Sequence, residues 1–403
     1  MNARRRYAAI IRTPHVARLM GTALLARAPL GIDGLAIVLF VRGEYGSYAT
    51  AGLVAAMFAI GAALVAPIMG RLVDRLGARR ILVPLAIVHA CALGAVVAFG
   101  THGASVVVLC AAGLIAGCAI PPVGSVLRAL WPELLAGHRE ELLTAAYALD
   151  AVLLEIAFIV GPIFVAVVAS LASPQLALVA SVVFVTAGTL LFTATPMARA
   201  FSPADDHAHD TGGRLGALRS PGVRTLVLST VPIGFCLGAA EVSFPAFGEY
   251  VGSRALAGPL LALWSLGSAI GGLIYGAYGH RIPISSAYLR TAALLPLVTL
   301  PLALPSTFVA MVPLAILAGL AVAPLLSAGN QLIGDVAPRG AVTEAFTWPL
   351  TALVAGVAGG NAVAGAIVQS HDWRVAFVAA AGVGALGVVV ATLRRSTLRP
   401  VPA

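Results

Sequence analysis

A few charged residues interrupt long apolar runs of this sequence, and they are the groups that could do chemistry. Arg27 and Asp33 fall in one run, Asp150 and Glu155 in another, Glu241 in a third; Arg128 and Glu344 stand at run ends. A carboxyl in an apolar setting can carry a proton, hold a cationic group or pair with an arginine. Each such charge costs about 2.5–3.5 kcal/mol at the middle of a bilayer, which argues against an unpaired one facing lipid. Arg27 and Asp33 are about 120° apart round a helix, so they do not share a face. For Asp33 and Glu241 two readings stand, proton coupling or substrate binding on one side and structural pairing on the other. Glu155 reads as structural, for example as a partner of Arg27. Asn330, Gln331 and Asn361 are uncharged polar residues suited either to substrate or to helix–helix hydrogen bonds. Trp264, Trp348 and Tyr147 could stack on an aromatic substrate or simply pack, whereas Trp131 and Trp373, at run ends, read as interfacial belt residues.

The elements that must position these groups follow from composition. The chain has 403 residues, 60% hydrophobic and 10% charged, with a mean hydropathy of +0.99. A soluble protein cannot bury that much apolar surface, so the class is an all-α polytopic membrane protein. At roughly 30–35 residues per span and loop, the length accommodates about twelve spans. The apolar runs predict spans at 18–41, 48–69, 80–99, 104–127, 143–170, 175–196, 223–247, 255–277, 286–304, 307–332, 344–368 and 373–393.

The net charge is +9, and all 25 basic residues are arginine. With the N-terminus placed in the cytoplasm, the arginines collect in cytoplasmic segments, and only Arg42, Arg254 and Arg374 fall outside. That asymmetry obeys the positive-inside rule with both termini cytoplasmic. It accounts for the basic excess without nucleic acid, for which the chain offers no basic stripe interleaved with aromatics. Residues 1–12 read as a basic cytoplasmic tail.

The four cysteines, Cys91, Cys110, Cys118 and Cys236, lie within apolar runs without metal or redox spacing and read as small hydrophobes. No metal site and no cofactor are expected. The longest connection holds Asp205-Asp206-His207-Ala208-His209-Asp210, which reads as a solvated linker rather than a metal site. The chain has no lysine and no phosphate-cradling loop, so it does not drive itself with ATP. Its histidines form no His-x-x-x-His box, which argues against a membrane-embedded enzyme.

The sequence also repeats itself. A shift of 202 residues lays Ala116-Gly117 on Ala318-Gly319, Pro122 on Pro324, Ser125 on Ser327 and Glu133 on Asp335. The same shift lays Gly70, Gly77 and Arg79 on Gly272, Gly279 and Arg281, with Gly276 where Asp74 stands. After a loop three residues shorter, Thr144, Tyr147 and Gly161 fall on Thr343, Phe346 and Gly360. Two homologous six-helix halves follow: 1–196, a cytoplasmic linker 197–222, and 223–403.

Between the second and third runs stands Gly70-Arg71-Leu72-Val73-Asp74-Arg75-Leu76-Gly77-Ala78-Arg79-Arg80. So short a basic link between two apolar runs makes a helical hairpin with its turn in the cytoplasm. The pattern resembles the signature loop of the major facilitator superfamily, and the resemblance extends over nearly the whole chain. Gly161-Pro162 in the fifth run partly resembles the Gly-Pro motif of that family's drug/proton antiporter branch. The resemblance implies two six-helix bundles moving by alternating access, with spans 1, 4, 7 and 10 lining a central cavity. It implies that Arg27, Asp33 and Glu241 reach that cavity, with Asn330 and Gln331 beside it. It further implies that Asp74 faces the start of span 11 at Thr343, with Glu344 opposing it. Asp74, Arg75 and Arg128, near Asp150, would then latch the cytoplasmic end; the plainer alternative is that these charges only fix topology. The function so implied is a proton-coupled exporter of drugs or metabolites in the cytoplasmic membrane, acting as a monomer on a small-molecule substrate; uptake of a nutrient is the alternative.

Overall fold

The computed structural model describes residues 3–13, 15–135, 140–200, 216–252 and 256–398. The Asp205–Asp210 cluster, Arg139 and Arg254 lie outside the described residues. Twelve helices are long and apolar enough to cross a membrane, and among the described residues there is no strand. In chain order they are α1 (Val16–Tyr45), α2 (Tyr48–Leu76), α3 (Ala78–Thr101), α4 (Val106–Leu134), α5 (Glu140–Leu171) and α6 (Pro174–Thr193). There follow α7 (Pro221–Tyr250), α8 (Ala257–Tyr278), α9 (Ile284–Thr299), α10 (Phe308–Val336), α11 (Val342–Ser370) and α12 (Trp373–Leu393). Residues Ala3–Arg12, expected as a tail, form a short helix whose Tyr7 hydroxyl donates to the Leu273 carbonyl on α8 at 2.8 Å.

Local sequence explains where the helices start and stop. Ser47, Ser173, Ser220, Thr307 and Asp372 each accept a backbone N–H of the first turn they precede. Gly77 separates α2 from α3 with φ 87°, a conformation that a side chain resists. Three spans are discontinuous. α1 breaks at Ala28 before Pro29, α4 at Ala119–Pro122, and α10 at Leu320–Ala321. The breaks in α4 and α10 fall at repeat-equivalent positions, where the interrupted backbone is enclosed by other helices rather than facing lipid.

Helices α1–α6 pack mainly among themselves, as do α7–α12; the halves meet along α2 with α11 and along α5 with α8 and α10. Close approaches at glycine draw the helices together. A Cβ on Gly161 of α5 would stand 2.7 Å from the Gly31 Cα of α1, and one on Gly70 of α2 would stand 2.9 Å from the Glu344 Cα of α11. Tyr147 and Phe346, equivalent in the repeat, touch across the seam with ring centroids 6.3 Å apart. Large apolar side chains such as Leu64, Leu171 and Leu297 cover the outside, as a lipid-facing surface requires.

Candidate functional site

Four clusters of polar residues gather inside this bundle. The first joins the halves at the signature-loop end. Asp74, on the last turn of α2, is buried and accepts the backbone N–H groups of Thr343 at 2.9 Å and Glu344 at 2.8 Å. It therefore caps α11 from the other half, where its charge also meets the positive end of that helix. Glu344 stands beside it as a like charge, as expected, but is itself paired. Its carboxylate turns to the Arg71 guanidinium, with contacts of 3.0 and 2.8 Å, and accepts Trp348 Nε1 at 3.1 Å. The arginine that holds Glu344 is Arg71; Arg75 is exposed at the end of α2. A residue four positions before Arg75 lies on the same face but a turn deeper, where it reaches α11. Further along the seam the Thr351 hydroxyl donates to the Ala63 carbonyl at 2.8 Å.

The second cluster lies within the first half. Asp150 of α5 receives Arg27 of α1 on one oxygen and the Arg128 Nε of α4, at 2.9 Å, on the other. All three are buried, with two positive charges on one negative. Arg27 therefore pairs with Asp150, one turn nearer the signature-loop end than Glu155. Arg128 ties helices of one half together instead of latching the two halves. Tyr147 is fully buried and donates to the Arg128 carbonyl at 3.2 Å.

Asp33 forms the third cluster and does not reach a central cavity. It is fully buried between α1, α3 and α6, where Ser181 donates to it and His89 Nε2 lies 3.2 Å away. The other histidine nitrogen contacts the Ala116 carbonyl at 2.8 Å. Arg27 and Asp33 do take different faces. The face of Asp33 turns outward from the seam because α3 and α6 carry its partners there.

The fourth cluster stands where the halves meet deeper in the bundle. Glu155 of α5 accepts the Ser268 hydroxyl of α8 at 2.8 Å, and that hydroxyl also accepts the Ala323 N–H of α10 at 3.1 Å. Glu155 is within electrostatic range of Glu241 on α7, and Asn361 of α11 faces Glu241. Glu241 is exposed and Glu155 half-buried, so both are reachable. Among the described residues no arginine or histidine pairs with either carboxylate.

The remaining expectations find simple places. Gln331 accepts the Thr144 hydroxyl across the seam at 3.1 Å, and Asn330 is half-buried on the same helix. Gly161 serves the approach of α5 to α1, with Pro162 following it inside α5. Gly70 lets α2 meet α11, and Gly77 makes the turn into Arg79 and Arg80, both exposed. Trp131 and Trp373 are buried, not belt residues, and Trp373 meets Phe247 edge to face with ring centroids 4.9 Å apart. Sequence reasoning missed His89, Ser181 and Ser268. Each is a lone polar residue in an apolar run, and only the helices around it reveal its partner.

A family model described as the Major Facilitator Superfamily matches residues 19–305 and 226–403. No curated protein sequence matches the chain. Among solved structures, a bacterial homologue of the iron transporter ferroportin in an outward-facing state aligns with a TM-score of 0.78 at 15% identity, over 94% of this chain and 99% of that one. The human organic anion transporter TETRAN aligns with a TM-score of 0.73 at 17% identity, over the same shares. The E. coli fucose:proton symporter aligns with a TM-score of 0.69 at 12% identity, over 96% of this chain and 99% of that one. At these identities the likeness concerns the fold alone.

Proposed function

The chain belongs to the Major Facilitator Superfamily, and from that premise we propose that it couples the passage of small organic molecules to protons by alternating access. It is a multi-pass membrane transporter of small molecules, not an enzyme; the coupling, the direction and the cytoplasmic membrane as its location are this proposal. The observation that carries the coupling is the Glu155–Glu241 pair. Two carboxyls from opposite halves stand near each other, reachable and with no cation beside them among the described residues. Such a site is neutralised by protons or by a cationic group of a solute, and its two walls separate when the halves rock. Competition between proton and solute for one pair of carboxyls is the simplest route to exchange.

The arginine excess at the latched end supports placing that end in the cytoplasm. The latch then holds the inner side shut, as in an outward-facing state. Export is the direction favoured here, on the partial Gly161-Pro162 resemblance. The function as a monomer is part of the same proposal.

The test uses purified protein in liposomes with a trapped pH-sensitive dye, a panel of cationic, neutral and anionic solutes, and the Glu241→Gln variant. Solute-dependent proton movement, opposite to the solute and reduced at least tenfold in Glu241→Gln, is the expected result. Solute flux without proton movement overturns proton coupling, and proton movement in the same direction as the solute overturns exchange.

A further inference from the structure

Three arginines converge on one cavity at the signature-loop end. Arg79 and Arg80 come from the first turn of α3, and Arg199 comes from the short helix Pro196–Ala200 that follows α6. Together with Val83, Pro84 and Leu190 they line a cavity of about 360 Å³ between α3 and α6. Among the described residues no acidic residue lines it, and none of the three arginines has an ion-pair partner. This sets them apart from Arg27, Arg71 and Arg128, each of which is spent on a buried carboxylate. The positive-inside rule accounts for arginines at this end of the molecule, but it does not require three of them to share one cleft.

Two features say what the cleft is built to hold. The first turn of α3 has no side-chain cap, because Gly77 precedes it and the nearest carboxylate, Asp74, is turned away to cap α11. Three guanidinium groups in one cleft with no carboxylate among its described lining make an anion site, and guanidinium groups suit the oxygens of a phosphate. The walls below are apolar except for Thr193, whose hydroxyl is spent on the Thr189 and Leu190 carbonyls of its own helix. The surface continues toward the bilayer through Ile87, one turn on from Val83, and through Leu190 and Leu191, all exposed. A free anion would have no use for that apolar continuation. A phospholipid would, with its phosphate among the arginines and its chains along α3 and α6.

We propose that this cleft binds the headgroup of an anionic phospholipid from the leaflet at the signature-loop end. The site lies beside Gly77, so an occupied cleft fixes the start of α3 next to the helix end that carries the Asp74 latch. The inference is independent of what the transporter carries and of its coupling ion.

The test uses delipidated full-length protein in detergent, titrated separately with phosphatidylglycerol, phosphatidylcholine and inorganic phosphate. Lipid retention is read by native mass spectrometry and stability by Tm. Retention of phosphatidylglycerol over phosphatidylcholine, with a rise in Tm, is expected. The Arg80→Gln/Arg199→Gln variant should lose that retention at least tenfold while keeping the wild-type Tm in phosphatidylcholine. Ala194→Trp, which fills the cleft and keeps every arginine, should lose it as well. Arg224→Gln/Arg290→Gln removes the same charge elsewhere and should leave retention intact. Three results overturn the proposal: equal retention of the two lipids, an equal loss in the Arg224/Arg290 variant, or a Tm rise with inorganic phosphate matching that with the lipid.

Discussion

The two seams that join the halves at the signature-loop end are related by the repeat, yet they are closed by different physics. Along α2 and α11 the contact is polar: Asp74 holds two N–H groups of α11, and Arg71 holds Glu344. Along α5 and α8 it is steric at this end, the Glu155–Ser268 bond lying deeper in the bundle. Gly276 stands where Asp74 does, a Cβ there would lie 2.7 Å from the Ala148 Cβ, and one on Gly272 would lie 2.8 Å from Val152. Here the short N-terminal helix adds the Tyr7 hydroxyl bond that the other seam does not need. Charge-assisted bonds are directional and lost within an ångström, whereas close packing yields gradually but tolerates no added volume. The polar seam is therefore suited to act as a catch, and the steric one as a bearing.

Adding volume at the bearing gives the largest expected effect. Gly276→Val places two methyl groups where Ala148 and Tyr7 already stand. Overpacking costs about 1–3 kcal/mol and sometimes more. With the first added carbon already inside contact distance of the Tyr7 hydroxyl and 2.7 Å from the Ala148 Cβ, the upper end or beyond applies here, and separation of α8 from α5 relieves it. Spin labels at the exposed positions 75 and 281, in a background lacking the native cysteines, should report a longer distance and a nearly complete loss of the closed population. An unchanged distance distribution would mean that the steric seam is slack.

The catch was the more legible of the two from sequence. The spacing of Gly70, Asp74 and Gly77 resembles a known loop, and a helix start is a predictable partner for a carboxylate. The glycine seam was marked only through the repeat, which lays Gly272 on Gly70 and Gly276 on Asp74 but does not say which helix fills the space against them. Span positions were legible because hydropathy alone sets them. The interior pairings were not. Angular spacing separated Arg27 from Asp33 but could not say which face met the seam. The break at Ala28 then interrupts the helix between them. Asp33 found His89 and Ser181, on helices whose neighbours no single run of sequence reveals. Arg71 was passed over because the loop resemblance draws attention to the charged centre of the motif, while reach to α11 is decided by depth along α2.

Breaking the catch should have the next largest effect. Asp74→Asn keeps the volume and one carbonyl oxygen, but its amide group faces an N–H of α11. The loss of one charge-assisted bond is worth about 1.5–3 kcal/mol, which shifts the closed population roughly ten- to a hundredfold. The same label pair reads this shift, and solute transport should fall with it. Expression should be normal, because neither half loses an internal contact. If Arg71→Gln is added, the second loss should be smaller than Arg71→Gln alone, since both groups act on the first turn of α11. Full additivity would indicate two independent contacts rather than one catch.

The smallest effect separates the bearing from its accessory. Tyr7→Phe removes one neutral hydrogen bond to the Leu273 carbonyl, in an exposed setting, and leaves the ring in place. A bond of that kind contributes about 0.5–1.5 kcal/mol, and water replaces part of it at the surface. The closed population should change less than tenfold. Gly276→Val should be somewhat less damaging in the Tyr7→Phe background than in the wild type, because the Tyr7 hydroxyl is the atom nearest the added carbon, while the clash with Ala148 remains. If Tyr7→Phe instead opens the molecule as far as Asp74→Asn, the N-terminal helix is a second catch. The steric seam would then owe its closure to a directional bond after all, and the contrast between the two seams would collapse to one mechanism used twice.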